Sequence, residues 1–317
     1  MLQTKEQLER LTKNILAILT LAVSAGAGSQ QSPTISTRTN IVTLYATVHD
    51  ADGRVVENLN QDDFILLEDG VPQRITYFSP ETDLPLTIGL LVDTSRSQIE
   101  VLEEEGRASY TFLDQVLREG QDQAFVASFD KRVAIAERLS SSRTVLQSEL
   151  NGLKVPAEYG TLLYSAIRDS SEDVMKGLPG RKAFIALTDG VAFKDPTPIG
   201  VAIEFAQRAN TIIYSIRYSD PTQVYIPVVG AIIAVAKERG KKGLQRMAEQ
   251  TGGATYEVTK SQSIEAIYAE IEDALRNQYS IGYAPPRLEA DGKYHNIKLT
   301  AKDRHLVVNA RAGYYSK

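Results

Sequence analysis

The middle of the chain alternates between short apolar runs and longer stretches with a helical period. Residues 86–92 (LTIGLLV), 124–129 (AFVASF) and 183–187 (AFIAL) are such runs, which are typical of strands covered on both faces. Helical stretches are predicted at 98–118, 161–175, 198–208, 241–250 and 263–276. This alternation predicts an α/β domain, with a doubly wound, mostly parallel sheet.

Both flanks of this domain show the pattern of β-strands. Residues 41–48 (IVTLYATV) are rich in β-branched and aromatic types, and Asp69-Gly70 is a strong hairpin signal. The β pattern returns after residue 278. Each flank has only about forty residues, which is marginal for a separate core. We therefore expect the flanks to pair into one small β-sandwich, with two separate small sheets as the alternative.

The first forty residues have a different character. Three cations, Lys5, Arg10 and Lys13, precede an apolar run at 15–22 that ends in Ala25-Gly26-Ala27, the pattern of a secretory signal peptide. An amphipathic N-terminal helix is the alternative. We predict an exported bacterial protein (periplasm, cell surface or secreted) with no transmembrane span after signal removal. The predicted segments are a signal peptide at 1–27, a linker at 28–40, an N-terminal β module at 41–83, the α/β domain at 84–277 and a C-terminal β module at 278–317.

The composition restricts the chemistry that the chain can perform. There is no Cys, which excludes disulfides, thiolate zinc sites, iron–sulfur clusters and cysteine nucleophiles. Only three His are present, so a site built from several histidines is not expected. The formal net charge of −5 argues against a nucleic-acid-binding protein. Any metal must therefore be held mainly by oxygen ligands.

Oxygen donors do occur where the predicted parallel strands end. The first strand is followed by Asp93-Thr94-Ser95-Arg96-Ser97 and a later one by Thr188-Asp189-Gly190, while Gly160-Thr161 opens a helix between them. Ligands of an open α/β sheet bind at the carboxyl ends of its strands. Two carboxylates and three hydroxyls there would suit Mg²⁺, Mn²⁺ or Ca²⁺.

Other interpretations of these residues remain. Ser95, Ser97 and Thr161 each precede a predicted helix and could be helix caps. Asp93 could accept a phosphoryl group, although Ser95 stands where phosphatases have a second Asp. The acidic run Glu103-Glu104-Glu105 is interpreted as a solvated helix face.

The Asp-x-Ser-x-Ser sequence, the later Gly-Thr and the Thr-Asp-Gly together resemble the von Willebrand factor A (VWA) domain. Thr251-Gly252-Gly253 before a strand is also similar to many bacterial members. The flanks resemble the bacterial VWA-related subfamily through two further segments, 62–70 and 310–314. The resemblance covers nearly everything after residue 40.

The resemblance implies a metal-ion-dependent adhesion site (MIDAS). Ser95 and Ser97 would coordinate the metal directly, Thr161 directly or through water, and Asp93 and Asp189 often through bridging water. Mg²⁺ is the expected cation, with Mn²⁺ or Ca²⁺ as alternatives, and a partner protein's Asp or Glu would complete the coordination shell. Arg96, where relatives often carry a small or apolar residue, would lie beside this ligand together with Gly160 and Gly190.

The function expected from this resemblance is adhesion or assembly through a metal bridge, without enzymatic activity. Two ligand carboxylates do not overcompensate a divalent cation, which leaves it able to attract an outside acidic group. A metal-dependent hydrolase and a structural protein with a vestigial metal site are the alternatives.

Overall fold

A computed structural model describes residues 41–81, 84–135, 139–218, 227–285 and 291–316, without the side chains of 81 and 227–232. The predicted signal peptide and linker lie outside these residues. Within the described part, no helix combines the length and the hydropathy needed to cross a membrane.

A six-stranded sheet forms the centre of the fold. Its order is β10-β9-β8-β5-β6-β7, and all neighbours are parallel except the edge strand β7. The strands are β5 (Leu86–Asp93), β6 (Gln123–Phe129), β7 (Val133–Ile135), β8 (Arg181–Leu187), β9 (Ile212–Arg217) and β10 (Thr255–Glu257). Every residue of β5 and β8 is buried, which the apolar runs predict for 86–92 and 183–187 but not for Arg181 and Lys182.

Helices cover both faces of this sheet. They are α1 (Leu102–Val116), α2 (Arg143–Asn151), α3 (Leu163–Ser170), α4 (Ile199–Arg208), α5 (Pro227–Thr251) and α6 (Ile264–Arg276). One apolar layer joins the sheet to α1, α2 and α6, and the other joins it to α3, α4 and α5. Gly89 lies at the centre of the sheet, where an added Cβ would stand 2.7 Å from the rings of Phe125 and Phe184. The domain is therefore doubly wound, and the predicted fold class is confirmed.

The two flanks contribute strands to the same two antiparallel sheets. The strands are β1 (Val42–His49), β2 (Phe64–Glu68), β3 (Val71–Pro72), β4 (Ile75–Glu81), β11 (Gln278–Tyr283), β12 (Tyr294–Ala301), β13 (Val307–Ala310) and β14 (Gly313–Tyr315). One sheet has the order β13-β1-β11-β4 and the other β14-β12-β2-β3. Their inner faces share one apolar core, which includes Leu44, Leu66, Ile281 and Leu299. The flanks thus form a small β-sandwich, while the exact domain limits stay a prediction.

Candidate metal centre

Asp93 is the last residue of β5 and is completely buried. Its Oδ1 accepts a hydrogen bond of 2.9 Å from the backbone N–H of Ser95. Its Oδ2 accepts one of 2.6 Å from the hydroxyl of Thr188, which directly follows the neighbouring strand β8. The carboxylate is therefore fixed between the ends of two parallel strands, where a ligand of this sheet type binds.

The two predicted serine ligands follow Asp93 on one tight turn. Ser95 precedes a 3₁₀ turn over Arg96–Gln98, and its Oγ lies 3.1 Å from the Oγ of Ser97. The Gln98 amide donates a hydrogen bond of 3.3 Å to Ser97 Oγ. The turn thus brings two neutral oxygen donors side by side.

Backbone hydrogen bonds join the Thr161 segment to the segment that follows Asp189. The backbone N–H of Thr161 donates to the carbonyl of Phe193 at 2.9 Å, and the N–H of Phe193 donates back at 3.1 Å. Asp189 Oδ1 accepts a hydrogen bond of 2.9 Å from the N–H of Val191. Both Thr161 and Asp189 are buried. The three predicted ligand loops are therefore ordered by direct contacts at one end of the sheet.

Helix capping does not account for these hydroxyls. Ser95 makes no side-chain cap hydrogen bond, and the residues that precede α1 and α3 are Val101 and Leu162. The first N–H groups of α3 are bonded instead by the carboxylate of Asp195, at 2.7 Å from Tyr164 N and 3.2 Å from Ser165 N. The hydroxyl of Thr161 is thus not needed to begin the helix.

The electrostatics of the site favour a cation. Burial, reinforced by the nearby charge of Asp189, raises the pKa of Asp93 to about 7. Glu105 on α1 is also completely buried, and neither of its carboxylate oxygens has a hydrogen-bond partner within the described residues. Burial first, and then the charges of Asp93, Glu104 and Asp189, raises the pKa of Glu105 well above its usual value. Three buried acidic side chains, those of Asp93, Glu105 and Asp189, thus interact with one another. A divalent cation bound among them would compensate their negative charge.

Glu105 corrects one expectation from the sequence. The run Glu103-Glu104-Glu105 was expected to face solvent, and this is wrong for Glu105 although Glu103 and Glu104 are exposed. Glu105 precedes the buried residues Ala108 and Ser109 by three and four positions, so it lies on the inner face of α1. The helical period contained this signal, but the acidic run concealed it.

The residues predicted to flank a partner have different environments. Arg96 is exposed, donates to the carbonyl of Ala157 at 3.2 Å and lies over the ring of Tyr159 at 5.0 Å. Gly160 is buried, and an added Cβ would stand 2.6 Å from Lys131 Cα. Gly190 is also buried and has a φ of +82°, with the backbone of Gly240 close by. Arg96 is therefore accessible, whereas both glycines allow close approach of backbone segments.

The five predicted ligands fit a hard divalent cation. Asp93, Ser95, Ser97, Thr161 and Asp189 offer only oxygen atoms, and their loops meet at one edge of the sheet. The unpartnered oxygens of Glu105 and the raised pKa of Asp93 indicate that the site carries more negative charge than the protein compensates. A different group, Glu68, Asp69 and His295, lies in the β-sandwich and brings its potential ligand atoms within 4.8 Å of one another.

Comparisons with known proteins identify the fold. No protein-family model and no curated protein matches the chain. The structure of proximal thread matrix protein 1 from the mussel byssus, with a zinc-occupied MIDAS motif, is similar at a TM-score of 0.51 and 12% identity, over 66% of this chain and 49% of that chain. This chain thus covers about half the length of the mussel protein.

Two bacterial structures are similar at lower scores. BatB from Bacteroides thetaiotaomicron has a TM-score of 0.45 and 18% identity over 61% of this chain and 99% of that one. The vWF domain of the type V pili tip protein Mfa5 from Porphyromonas gingivalis has a TM-score of 0.47 and 11% identity over 61% and 95%. The mussel structure, with a TM-score above 0.5, supports the VWA fold for the α/β domain of this chain, and at 12% identity the similarity concerns the fold alone.

Proposed function

We propose that the chain binds a divalent cation through Asp93, Ser95, Ser97, Thr161 and Asp189 and uses it to capture an acidic side chain of a partner protein. The observation that carries this proposal is the buried carboxylate of Asp93, which is held between β5 and β8 beside Asp189 and has a pKa raised to about 7. An ionised carboxylate in such a place requires a positive charge nearby.

The donor set favours Mg²⁺, with Mn²⁺ and Ca²⁺ as alternatives. Mg²⁺ prefers oxygen ligands and usually keeps several waters, so few carboxylates suffice. The two ligand carboxylates match the charge of the ion. When bound, the cation would supply an electrophilic position that an Asp or Glu of the partner can occupy. The charge of Glu105, which interacts with those of Asp93 and Asp189, would add to the attraction for the ion.

The surroundings of the site support the binding of a protein. Large apolar side chains are exposed on each of the three loops: Ile99 follows the serines, Tyr159 precedes Thr161, and Phe193 follows Asp189. A cavity of about 560 Å³ lies beside Gly190, with Tyr164 and Val235 in its lining. Exposed apolar residues next to a cation suit a protein segment in which an Asp or Glu is flanked by apolar side chains.

Export to a bacterial envelope or beyond belongs to the same proposal. It is supported by the signal-like pattern of residues 1–27 and by the absence of Cys, which leaves the protein independent of disulfide formation. A metal-bridged adhesion module would meet its partners outside the cytoplasm.

Thermal melting with and without metal tests the cation site. Mg²⁺ or Mn²⁺ should raise the melting temperature of the wild type and have no effect on Asp93→Ala. An equal shift in both proteins would refute the assignment of the ligands.

Capture from the native envelope fraction tests the partner. The wild type should retain a protein in Mg²⁺ and release it in EDTA, while Asp93→Ala should retain none. A partner that is bound equally by the variant, or in EDTA, would show that the metal is not the bridge.

A further inference from the structure

A second group of metal-ligand side chains lies in the β-sandwich, on two adjacent strands. Glu68 is the last residue of β2, Asp69 begins the turn to β3, and His295 is on β12. The strands pair antiparallel with Glu68 opposite Ile297, so His295 is two residues from that pair and on the same face. Two carboxylates and an imidazole therefore meet at one end of the β2–β12 pair.

The potential ligand atoms of the three side chains lie within 4.8 Å of one another, and two of their separations are close to those of a zinc coordination shell. His295 Nδ1 lies 2.8 Å from Asp69 Oδ2 and 3.5 Å from Glu68 Oε1. A tetrahedral zinc ion with bonds of about 2.0 to 2.1 Å separates its ligand atoms by about 3.3 to 3.4 Å. The two observed distances lie on either side of this value, so small rotations of the side chains would admit the ion.

The buried carboxylate of Glu68 is an independent observation in favour of a cation site. Glu68 is only 7% exposed, and its Oε2 has no hydrogen-bond partner within the described residues. Its Oε1, aimed at the imidazole, accepts a hydrogen bond of 3.3 Å from the Tyr314 hydroxyl. The buried hydroxyl of Tyr283 interacts with the same carboxylate, although this contact does not meet hydrogen-bond geometry. Leaving a buried carboxylate oxygen unsatisfied is costly, and a bound cation would relieve that cost.

The other two side chains are already oriented. Asp69 has a φ of +49° in the hairpin turn, and its Oδ1 accepts a hydrogen bond of 2.8 Å from the backbone N–H of Asn296. The ring of His295 stacks on Tyr314, with centroids 5.2 Å apart and an angle of 24° between the planes. Supporting contacts of this kind hold ligands in place around protein-bound metals.

We propose that Glu68, Asp69 and His295 form a second metal site, separate from the site at Asp93, and that it takes Zn²⁺. The imidazole nitrogen selects zinc over Mg²⁺ or Ca²⁺, and the two carboxylates balance its charge. Water fills the fourth position from the side of Asp69, which is exposed. Glu68 and Asp69 come from the N-terminal flank and His295 from the C-terminal flank. The bound ion therefore links the two flanks of the sandwich.

The test measures zinc binding to the full-length, untagged chain. The mussel protein carries zinc in its MIDAS, so Asp93→Ala is used as the background in order to remove that contribution. By equilibrium dialysis with Zn²⁺ alone, this variant should bind one equivalent, and the addition of Asp69→Asn should weaken binding by at least about tenfold. Asn keeps both the turn and the acceptor for Asn296, so the fold is retained; the converse control, Asp69→Asn alone, should keep the Mg²⁺ response.

Imidazole signals in NMR spectra give a readout that a structural role alone would not change. The chain has only three His, and the signal of His295 is identified by its loss in His295→Gln. Zinc should shift this signal in the Asp93→Ala protein and leave those of His49 and His305 in place. If the variant binds no zinc, or if the His295 signal does not move, the three residues form only a polar cluster without a metal and the proposal is wrong. Neither result depends on the capture of a partner by the Asp93 site.

Discussion

Asp93 shows how much a single buried carboxylate determines the behaviour of the metal-free protein. Its pKa is raised to about 7, mainly by burial and then by Asp189. When the folded pKa lies above the unfolded one, the unfolded chain releases its proton first, and stability falls as pH rises between the two values. A cation bound as we propose would remove this penalty, and stability would then depend on the concentration of the ion.

The first prediction concerns Asp93→Asn in EDTA. The isosteric amide cannot ionise, so the variant should exceed the wild type in unfolding free energy by an amount that grows from about pH 4 to pH 7, with an upper limit of about 4 kcal/mol. Urea denaturation of both proteins at pH 5 and pH 8 measures the difference. Mg²⁺ should stabilise the wild type more strongly at pH 8 and leave the variant unchanged. A variant that is less stable at both pH values would mean that the carboxylate has a structural role.

The second prediction concerns Glu105→Gln. Since burial and nearby negative charge raise the pKa of Glu105, the neutral variant should be more stable than the metal-free wild type at pH 8, and the difference in unfolding free energy should be smaller at pH 5. It should also bind Mg²⁺ more weakly, because one attractive charge has been removed. Glu103→Gln, an exposed change on the same helix, should stay within about 0.5 kcal/mol of the wild type and bind Mg²⁺ normally. Calorimetric titration measures the affinities, and equal values for both variants would contradict a role for Glu105.

At the scale of the elements, the loops that carry the predicted ligands depend on close backbone packing. Gly160 lies against Lys131, and the adjacent Leu162 N–H donates a hydrogen bond of 2.9 Å to the carbonyl of Asp130. The Asp130 carboxylate in turn accepts from the hydroxyl of Thr94, at 3.0 Å. The loop after β6 thus joins the Asp93 loop to the Thr161 segment, although it supplies no predicted ligand.

The third prediction follows from this packing. Gly160→Ala should weaken Mg²⁺ binding by about 10- to 100-fold, because its Cβ would displace the Thr161 segment without removing a ligand. Gly106→Ala is the matched control, since Gly106 is inside α1 and has no atom within 4 Å of an added Cβ. This control should raise stability by up to about 1 kcal/mol and leave metal binding unchanged. Unchanged Mg²⁺ affinity in Gly160→Ala would show that the segment adapts freely.

The prediction from sequence was best for elements whose burial requires a continuous run of apolar residues. The strands β5, β6 and β8 are recognisable because both of their faces are covered. The edge strand β7 has three residues, which is too short for a period, and α2 buries only Leu146 and Leu150. Helix α5 begins at Pro227, whereas the sequence predicted a start at 241. The prediction missed the first half of the helix because that half is apolar and lacks the 3.6-residue period of an amphipathic helix. The predicted ligand loops follow from residues at strand ends and their spacing, and the burial of Glu105 could have been found from its helical period. The Glu68 cluster depends on contacts between distant segments.

At the scale of the whole molecule, the α/β domain is inserted between two strands that pair with each other. Strand β4 leads into the domain and β11 leaves it, and their residues Glu81 and Gln278 are opposite one another. The hydroxyl of Tyr279 donates a hydrogen bond of 2.7 Å to the carbonyl of Val56 in the other flank. Neither flank can therefore form its sheets alone.

The fourth prediction tests this dependence. A chain that begins at residue 84 lacks β1 to β4, so the buried faces of β11 and β12 become exposed, including Tyr279, Ile281 and Tyr283. It should aggregate in size-exclusion chromatography and lose cooperative thermal unfolding. A chain that begins at residue 41 is the control and should melt cooperatively. A monomeric chain from residue 84 with an unchanged melting temperature would show that the sandwich is not needed.

The pairing of the two flanks also limits the order in which the two parts of the protein can fold. Tyr279 and Val56 are 223 positions apart, so the sandwich cannot close until the C-terminal strands have been synthesised. The parallel sheet between them consists of contacts that are closer along the chain and can form earlier. Once folded, that sheet brings β4 and β11 together and removes most of the entropy cost of closing so long a loop. We therefore expect the α/β domain that contains Asp93 to fold first and to bring together the ends from which the sandwich forms.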